Sequence, residues 1–510
     1  MITLINHQGL KKIKGLQLQS PAPSIGLAYL GAYLKKNNYS YTAIDACGEA
    51  MDRLMPYRNQ KDLIVQGLSV QEVVNKVHLK TKIVAFSCLF SHCYPLVKDM
   101  FIQIKKKIPN ATFVIGGEHP TSMPFHVLKD GFDIVILGEG EKTFLELVNK
   151  INNKKTWKEI KGISYLNQEN QIVKTPIRNR IADLDEIPYP DWDSWCIEEY
   201  IAHQQTSGIN LGRTMPILGS RGCPYACTFC SNEGMWTRRY IMREPKSIVD
   251  EMEYFQSKYN ISNFAFMDST FIINRKKTLS FAYELIKRNL NVTYQLPAGT
   301  RCEPFNEELA FALEQSGLKN FALAPESGSP DVLKSINKHI NIDTFFKVVR
   351  IILKTRMTIG CFIVIGFPYD NHNTLKASLR LVRKLAIMGV HDITVSQFTP
   401  YPGSLEFQKL RAKGIIEDNL DELNNIIDFY SCSEKSYSSE ISSKKLYYWM
   451  LWLYINFYVV SFIIRPWRVL KNFWVYLRKG SENTRYMRLV NELLFNRRKW
   501  KKKNSHTIEV

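Results

Sequence analysis

The segment PILGSRGCPYACTFC, residues 216–230, joins an apolar strand pattern to three closely spaced cysteines. Cys223, Cys227 and Cys230 are separated by three and two residues, and the sequence contains no second group of that density. A structural zinc site takes four ligands, commonly in two pairs, whereas thiolates hold cubane iron–sulfur clusters. Three local thiolates would ligate three irons of a 4Fe–4S cluster and leave the fourth open to a substrate or cofactor. The spacing therefore favours such a cluster, with a zinc site or a chance grouping as the alternatives.

The cysteine segment begins a series of six strand patterns, each followed by a helical pattern. Six strand–helix units in succession predict a partial (βα)6, TIM-like barrel. In such barrels the chemistry lies at the carboxyl ends of the strands, and the cysteines follow the first strand directly. The strand patterns cover residues 216–222, 263–269, 292–299, 320–328, 359–368 and 393–400.

The first 150 residues also alternate strand and helix patterns, which predicts an α/β, doubly wound, Rossmann-like domain with a parallel sheet. Such sheets bind ligands beyond the carboxyl ends of their strands, where the strand order reverses. Asp45, Ser87, the pair Gly116–Gly117 and the run 138–140 follow four of these strands. The strand patterns cover residues 1–6, 41–45, 82–87, 112–117 and 133–140.

The remaining segments complete the predicted domain organisation. Residues 162–175 have a hairpin pattern, and LDEIPYPDWDSW (184–195) is rich in Pro, Asp and Trp, as extended linkers are. The last ninety residues are aromatic and basic and predict a mainly helical region. We therefore expect four parts, which are residues 1–155, 156–205, 206–420 and 421–510.

Composition and charge restrict where the protein works. The 510 residues are 45% hydrophobic and 23% charged, and the amino-terminal MITLINHQGLKK reads as a strand and not as a signal peptide. We therefore expect a reducing, cytoplasmic compartment, in which a cysteine group is more often a metal or redox site than a disulfide framework. Cys302 and Cys361 lie on or beside predicted strands and are expected to be small buried hydrophobes. Cys196 is single and distant from the group.

The carboxyl-terminal region contains an uncharged, aromatic run at 447–464, followed by thirteen Lys or Arg against three Glu from Arg465 onward. The run is just long enough for a membrane span, but Trp449 and Trp452 inside it prefer interfaces. We expect a buried or substrate-covering helix first, an interfacial helix with its basic tail on anionic lipid second, and a span last. No RNA-binding module accompanies the tail, so nucleic-acid binding is not expected.

The pattern Cys-x-x-x-Cys-x-aromatic-Cys, formed by Cys223, Cys227, Phe229 and Cys230, resembles the radical S-adenosylmethionine (radical SAM) enzymes. The resemblance implies that the open iron binds SAM and that one electron releases a 5′-deoxyadenosyl radical. It also implies SAM contacts from residues near the ends of the second to fifth strands. The structural alternatives are Arg301 as a plain salt-bridge partner and Glu326 as a helix cap. Many members of the family carry two adjacent acids after the second strand, where this chain has Asp268 followed by Ser269. The implied SAM-binding residues are Phe229, Asp268, Arg301, Glu326, Ser327 and Gly366.

The amino-terminal domain resembles the cobalamin-binding domain of a large radical SAM subfamily in GGEHPT (116–121), GEGE (138–141) and PAPSIGLAYLGAYL (21–34). The Asp-x-His-x-x-Gly segment that supplies an axial histidine in many cobalamin proteins is missing. We therefore expect no histidine ligand, with His119 as a loop residue. The alternatives are a nucleotide or flavin site, or a simple helix-initiating turn at 138–141. The implied cobalamin-binding residues are Ser87, Gly116, Gly117, Gly138 and Glu139.

The combined resemblance implies methyl transfer to an unactivated carbon of an organic substrate, through the 5′-deoxyadenosyl radical and methylcobalamin. Cobalamin-dependent oxidative cyclisation or rearrangement without methyl transfer is the first alternative, and a non-catalytic cobalamin or metal sensor the second. The expected partners are a small, hydrophobic substrate and an electron donor such as flavodoxin or ferredoxin. Membrane-surface contact by the carboxyl-terminal region would place the protein peripherally at the inner face of the membrane.

Overall fold

The computed structural model describes residues 1–12, 21–58, 60–151, 154–417 and 435–468, together with positions 474, 484, 485 and 487. Most of the basic tail that follows Arg468, and residues 418–434, lie outside the described residues. Sheets and helices alternate along most of the chain. The strands are β1 (Ile2–Asn6), β2 (Gly9–Lys12), β3 (Thr42–Asp45), β4 (Leu54–Tyr57), β5 (Gln60–Gln66), β6 (Ile83–Ser87), β7 (Thr112–Gly116), β8 (Ile134–Ile136), β9 (Ile163–Leu166), β10 (Ile172–Lys174), β11 (Thr214–Ile217), β12 (Ser220–Arg221), β13 (Ile241–Met242), β14 (Asn263–Phe266), β15 (Thr293–Thr300), β16 (Leu318–Glu326), β17 (Thr358–Ile365) and β18 (Asp392–Gln397).

The helices cover the faces of the sheets. Helix α10 spans the residues of the predicted pattern RKKTLSFAYELIKR, because the side chain of Asn274 caps its start and Asn289 ends it in a left-handed conformation. The helices are α1 (Ile25–Lys36), α2 (Val70–Lys76), α3 (Tyr94–Lys107), α4 (Glu118–Ser122), α5 (Pro124–Lys129), α6 (Glu141–Lys150), α7 (Ile197–Ala202), α8 (Asn232–Trp236), α9 (Pro245–Tyr259), α10 (Arg275–Arg288), α11 (Glu307–Gln315), α12 (Pro330–Ser335), α13 (Ile342–Ile352), α14 (His372–Met388), α15 (Leu405–Ala412) and α16 (Ser443–Ile464).

The amino-terminal sheet has seven strands in the order β10-β9-β8-β7-β6-β1-β3. The five strands predicted from the alternating patterns pair in parallel, so the doubly wound prediction is confirmed. The predicted hairpin forms as β9 and β10 and extends this sheet in the antiparallel sense. The chain leaves β1 toward β3 and then crosses over to β6, so the order reverses between β1 and β6, where doubly wound folds bind ligands.

A second sheet beside this domain is not indicated by the sequence patterns. Strands β2, β5 and β4 form it in that order, all antiparallel. The edge strands GLKK and LMPY are short and contain lysine or proline, which the usual strand pattern disfavours. Their burial depends on contacts of Leu10, Tyr57 and Val65 with Leu96 of α3, which no local periodicity reveals.

The second half of the chain forms a sheet of six parallel strands in sequence order, from β11 through β14 to β18. Strands β11 and β18 stand at opposite ends of that order, so the predicted partial barrel is confirmed. The first predicted strand is shorter than expected, because the chain bends at Gly219 and continues as β12, which pairs antiparallel with β13. A Cβ atom at Gly219 would come within 2.5 Å of the Phe271 ring.

Helix α16 packs one face against α14 and β18. Arg383 donates to the Asn456 side chain at 2.8 Å, and the Val395 amide donates to the Tyr454 hydroxyl at 2.9 Å. The length of α16 and a mean hydropathy of 1.4 over an 18-residue stretch would allow a membrane span. Of that stretch, 28% is buried in the protein, and a single helix of this kind is weak evidence for a span. The helix is therefore buried along one face and not all round. The buried side chains are those of Leu446, Met450, Leu453, Asn456, Phe457 and Ser461.

Candidate functional site

The cysteine loop, residues 222–230, begins directly after β12 at the carboxyl edge of the barrel. Gly222 has φ +85°, and a Cβ atom there would lie 2.3 Å from the carbonyl oxygen of Arg239. Only glycine fits that close backbone passage. The Thr228 amide donates to the Ile336 carbonyl at 3.0 Å, and the Glu406 amide donates to the Thr228 carbonyl at 2.9 Å. The loop is therefore held by backbone bonds to segments far away in sequence.

The three cysteines of this loop are free thiols. Cys223 and Cys227 are half-buried, whereas Cys230 exposes part of its surface although many protein atoms surround its thiol. Burial raises the pKa of all three thiols, that of Cys230 to about 12. Among the described residues, no three His, Cys, Asp or Glu side chains are already gathered around one metal-ion position. Three uncombined thiols on one loop nevertheless suit a cluster, provided that they turn toward one another and lose their protons on binding.

Of the predicted SAM-binding residues, Phe229 lies in this loop and Arg301 lies beside it. The Phe229 ring packs against Phe367, with ring centroids 5.6 Å apart. The Arg301 guanidinium lies over the Tyr225 ring at 3.9 Å, pairs with Glu303 at 2.6 Å and donates to the His339 carbonyl at 3.0 Å. Arg301 is therefore a salt-bridge partner, which is the structural alternative given for it above. It is also a neighbour of the cysteine loop.

A buried ion pair adjoins the cysteines, and one of its members was missed by the sequence reasoning. Glu326 ends β16 with φ +65° and accepts from Lys338 at 2.8 Å, with both side chains buried. Burial alone would lower the pKa of Lys338, but the Glu326 carboxylate outweighs it and the pKa is raised. The positive charge of Lys338 acts against the burial that raises the pKa of Cys227. In the sequence, a single lysine in a turn suggests a surface residue. Only the burial of Lys338 in the structure identifies it as part of this site.

Asp268 supports the bend that precedes the cysteine loop. It accepts hydrogen bonds from the Gly219 amide at 3.1 Å and the Ser220 hydroxyl at 2.5 Å. Burial raises the pKa of Asp268 to about 6. The next residue, Ser269, donates to Asn232 at 2.8 Å. Asp268 therefore positions the bend, and its contact with SAM stays a prediction.

Ser327 and Gly366 are engaged by the outer helices. The Ser327 hydroxyl lies 3.4 Å from the Ser378 hydroxyl of α14. Gly366 has φ +87°, and a Cβ atom there would lie 2.7 Å from a methyl group of Leu446 in α16. The glycine is therefore required by helix packing as well as by its conformation. The SAM contacts of both residues stay predictions.

The predicted cobalamin-binding glycines lie at the carboxyl edge of the amino-terminal sheet. A Cβ atom at Gly117, which has φ +117°, would come within 2.4 Å of the Cys88 carbonyl oxygen. The Cys88 amide donates to the Gly116 carbonyl at 2.9 Å, just after Ser87 ends β6. The Gly138 amide donates to Thr121, also on this edge, at 3.2 Å. Gly117 therefore allows two backbone segments to pass closely at this edge, and the cobalamin contacts of Ser87, Gly116, Gly117 and Gly138 stay predictions.

Glu139 has partners that the sequence reasoning did not foresee. Its carboxylate accepts from Arg221 at 3.1 Å, from Arg180 at 2.8 Å and from the Ile181 amide at 2.9 Å. Arg221 also pairs with Glu141 at 2.6 Å, and all of these side chains are almost completely buried. Since Arg221 stands two residues before Cys223, the pairs join the amino-terminal domain to the cysteine loop. A cobalamin contact by Glu139 stays a prediction.

Two further observations concern the face between the domains. The Ser231 hydroxyl, next to Cys230, donates to Glu118, and α4 packs against α8. The expectation that His119 is a loop residue is wrong, because His119 is buried in α4 with its Nδ1 2.9 Å from the Ser91 hydroxyl. Burial lowers the pKa of His119 to about 3. The cysteine loop and the glycine edge therefore meet across one interface.

Comparisons with protein families agree with this division of the chain. The family model of the Radical SAM superfamily matches residues 217–382, which include the cysteine loop and the barrel strands that follow it. The model of the B12 binding domain matches residues 12–148, which include the glycine edge.

Individual proteins resemble the chain over most of its length. An uncharacterised methyltransferase of Pyrococcus horikoshii is 28% identical over 405 residues, 78% of this chain and 80% of that protein. An anaerobic magnesium-protoporphyrin IX monomethyl ester cyclase of Rubrivivax gelatinosus is 28% identical over 407 residues, 78% of this chain and 68% of that protein. The structure of the radical SAM methyltransferase TsrM from Kitasatospora setae superposes with a TM-score of 0.61 at 18% identity, covering 81% of this chain and 76% of that one.

Proposed function

Because the chain belongs to the radical SAM enzymes that carry a cobalamin-binding domain, we propose that it transfers a methyl group to an unactivated carbon of a small organic substrate. Its cofactors are a 4Fe–4S cluster, SAM and cobalamin. The observation that carries the proposal is the buried ion network of Arg221 with Glu139 and Glu141, which holds the cysteine loop against the glycine edge. Two cofactor regions that are held side by side can act on one substrate in sequence.

When bound, the cluster supplies the electron that cleaves SAM, and cobalamin carries the methyl group. Cys223, Cys227 and Cys230 would hold the cluster, and Gly117 and Gly138 would let the corrin approach the sheet edge. Arg301 and the buried Lys338 place positive charge beside the thiolates. The apolar packing of Phe229 on Phe367 closes one side of the loop against water.

The relatives favour methyl transfer and also give weight to one alternative. The Pyrococcus relative is a methyltransferase, as is a cytidylyl-2-hydroxyethylphosphonate methyltransferase of Streptomyces wedmorensis that is 27% identical over 374 residues, 68% of this chain and 69% of that protein. The Rubrivivax relative is a cyclase at the same identity as the Pyrococcus protein. Oxidative cyclisation without methyl transfer is therefore the second candidate function.

Product analysis separates the two functions. We expect the anaerobically reconstituted full chain, supplied with a low-potential reductant and candidate substrates, to form S-adenosylhomocysteine and 5′-deoxyadenosine together with a methylated product. A reaction that forms 5′-deoxyadenosine but no S-adenosylhomocysteine would support cyclisation or rearrangement. If reconstituted protein with full iron and cobalamin cleaved no SAM, both functions would be wrong and a sensor role would replace them.

We propose that a one-electron carrier such as flavodoxin or ferredoxin reduces the cluster.

We also propose that the outer face of α16 rests on an anionic membrane surface. Side chains spaced by three or four residues line that face, over about 22 Å at 1.5 Å per residue. Trp452 is 47% exposed and Ile463 is 75% exposed. The exposed side chains are those of Tyr448, Trp452, Ile455, Val459 and Ile463.

The end of α16 is tied to the protein, which favours a helix lying on the surface over a span. Arg465 donates to the carbonyls of Ile387 and Met388 at the end of α14, at 2.9 and 3.2 Å. The sequence that follows is strongly basic. An apolar stripe continued by basic residues is the pattern of interfacial helices on anionic lipid.

Vesicle binding tests this surface. We expect the full chain to sediment with vesicles that contain phosphatidylglycerol, less so with pure phosphatidylcholine, and less again at high salt because the attraction is partly electrostatic. The double variant W452E/I455E is expected to lose most of this binding, since it places two charges on the stripe. The control K444E changes a charge at the start of the same helix. Binding by the double variant equal to that of the wild type would contradict the proposal.

A further inference from the structure

The turn 336–339, which follows α12, holds the cysteine loop on both sides of Cys227. The first carbonyl of the turn accepts from the Thr228 amide at 3.0 Å. The side-chain amide of Asn337 donates to the Ala226 carbonyl at 2.8 Å. Since the two residues bound in this way flank Cys227 in the chain, the turn is fixed against that cysteine.

Lys338 is the third residue of this turn and is buried there with a carboxylate. Its Nζ donates to Oε1 of Glu326 at 2.8 Å, and the two side chains are only 7% and 9% exposed. Strand β16 is irregular just before Glu326, whose φ of +65° is uncommon for residues other than glycine. A buried ion pair requires the desolvation of two charges, and apolar side chains often stabilise a fold equally well. Stability alone therefore gives little reason for this pair.

The two charges of the pair act unequally on the cysteine loop. Burial raises the pKa of Cys227, and Lys338 is the charged neighbour that lowers it most, whereas Glu326 raises it to a smaller extent. Burial likewise raises the pKa of Cys223, and Lys338 again lowers it. The pair therefore presents its positive end to the loop.

We propose that the buried ammonium group of Lys338 raises the reduction potential of the bound iron–sulfur cluster, with Glu326 as its counter-ion. Reduction transfers one electron from the carrier to the cluster and forms or breaks no bond, so the cluster and its thiolates gain one negative charge. A buried positive charge stabilises that added charge more than an exposed one does, because water and salt screen the exposed charge. Net charge and solvent exposure are among the features that set the potentials of such clusters. The proposal rests on the cluster assigned above and is the same for methyl transfer and for cyclisation.

A redox titration of the reconstituted full chain, followed by electron paramagnetic resonance of the reduced cluster, measures this potential. We expect K338Q to shift the midpoint to a more negative value, and K338R to keep it close to that of the wild type because the charge is retained. The control K334Q removes an exposed lysine charge four residues earlier and should cause no shift. The titration is carried out without SAM, so that an effect of Lys338 on SAM binding does not enter the measurement.

A second variant allows for misfolding of K338Q, in which Glu326 is buried without its partner. K338Q/E326Q removes both charges, and its midpoint should also be more negative than that of the wild type, because the positive end of the pair faces the loop. A wild-type midpoint in whichever of these two variants assembles the cluster, or an equal shift in K338R, would overturn the proposal. Loss of the cluster from both variants but not from K338R would assign Lys338 to cluster assembly and would overturn it as well.

The outcomes also separate this proposal from the proposed function. Wild-type protein that assembles no cluster would overturn the cluster assignment itself. Loaded wild-type protein that shows the expected shifts in its variants but transfers no methyl group would overturn the proposed function alone.

Discussion

Replacing Cys223, Cys227 or Cys230 singly with alanine is expected to remove SAM cleavage, with a loss of roughly a thousandfold or more in turnover, because the three thiolates act as a unit. Two thiolates hold an iron–sulfur cluster incompletely, and the raised pKa values of the remaining thiols oppose recapture of iron. We expect the iron and sulfide content of each variant to fall toward zero. Cobalamin binding should persist, because the glycine edge belongs to the other domain.

The matched control is C361A. Cys361 lies on β17, is fully buried, and belongs to the apolar core. Its replacement removes one sulfur atom from the core and should leave iron content and SAM cleavage close to those of the wild type. A triplet variant that retained both full iron and turnover would contradict the cluster assignment, as would zinc in place of iron in protein purified without oxygen.

The variant R221M is expected to lower the free energy of unfolding by about 3–5 kcal/mol, the usual cost of removing one partner from a buried ion pair. It leaves Glu141 buried without its ion-pair partner and leaves Glu139 with Arg180 alone. Burial would raise the pKa of Glu141, but Arg221 outweighs it and holds that pKa below its usual value. The pairing therefore stabilises the fold above about pH 4.3, the unfolded pKa, and is lost as the pH falls through the lower folded value.

Urea unfolding followed by tryptophan fluorescence measures this loss. The control K258M breaks an exposed pair with Asp193 and is expected to cost less than about 1 kcal/mol. We also expect R221M to bind iron and cobalamin separately but to turn over poorly, because the cysteine loop is no longer fixed to the glycine edge. Equal stability losses in R221M and K258M would show that the network does not join the two domains.

Local patterns in the sequence were sufficient for the two parallel sheets. Strand and helix periods are short, so they predicted the parallel sheet, the six-stranded partial barrel and the limits of α10 without knowledge of distant contacts. The cysteine spacing is local too, and it indicated the cluster. The antiparallel sheet of β2, β4 and β5 was missed, because its edge strands are short and owe their burial to contacts distant in sequence.

The roles of the polar residues were decided only by the tertiary structure. Arg221 and Glu139 are 82 residues apart in the chain, and Asp268 and Gly219 are 49 apart. Glu139 and Asp268 stand at strand ends, where the sequence predicts ligand binding, and folding also brings Glu139 to two arginines and Asp268 to backbone and hydroxyl donors. The sequence alone determined which elements form and which residue types end them, because those preferences act over a few residues. Whether a buried carboxylate meets a cofactor or a neighbouring side chain depends on long-range packing, which only the folded structure specifies.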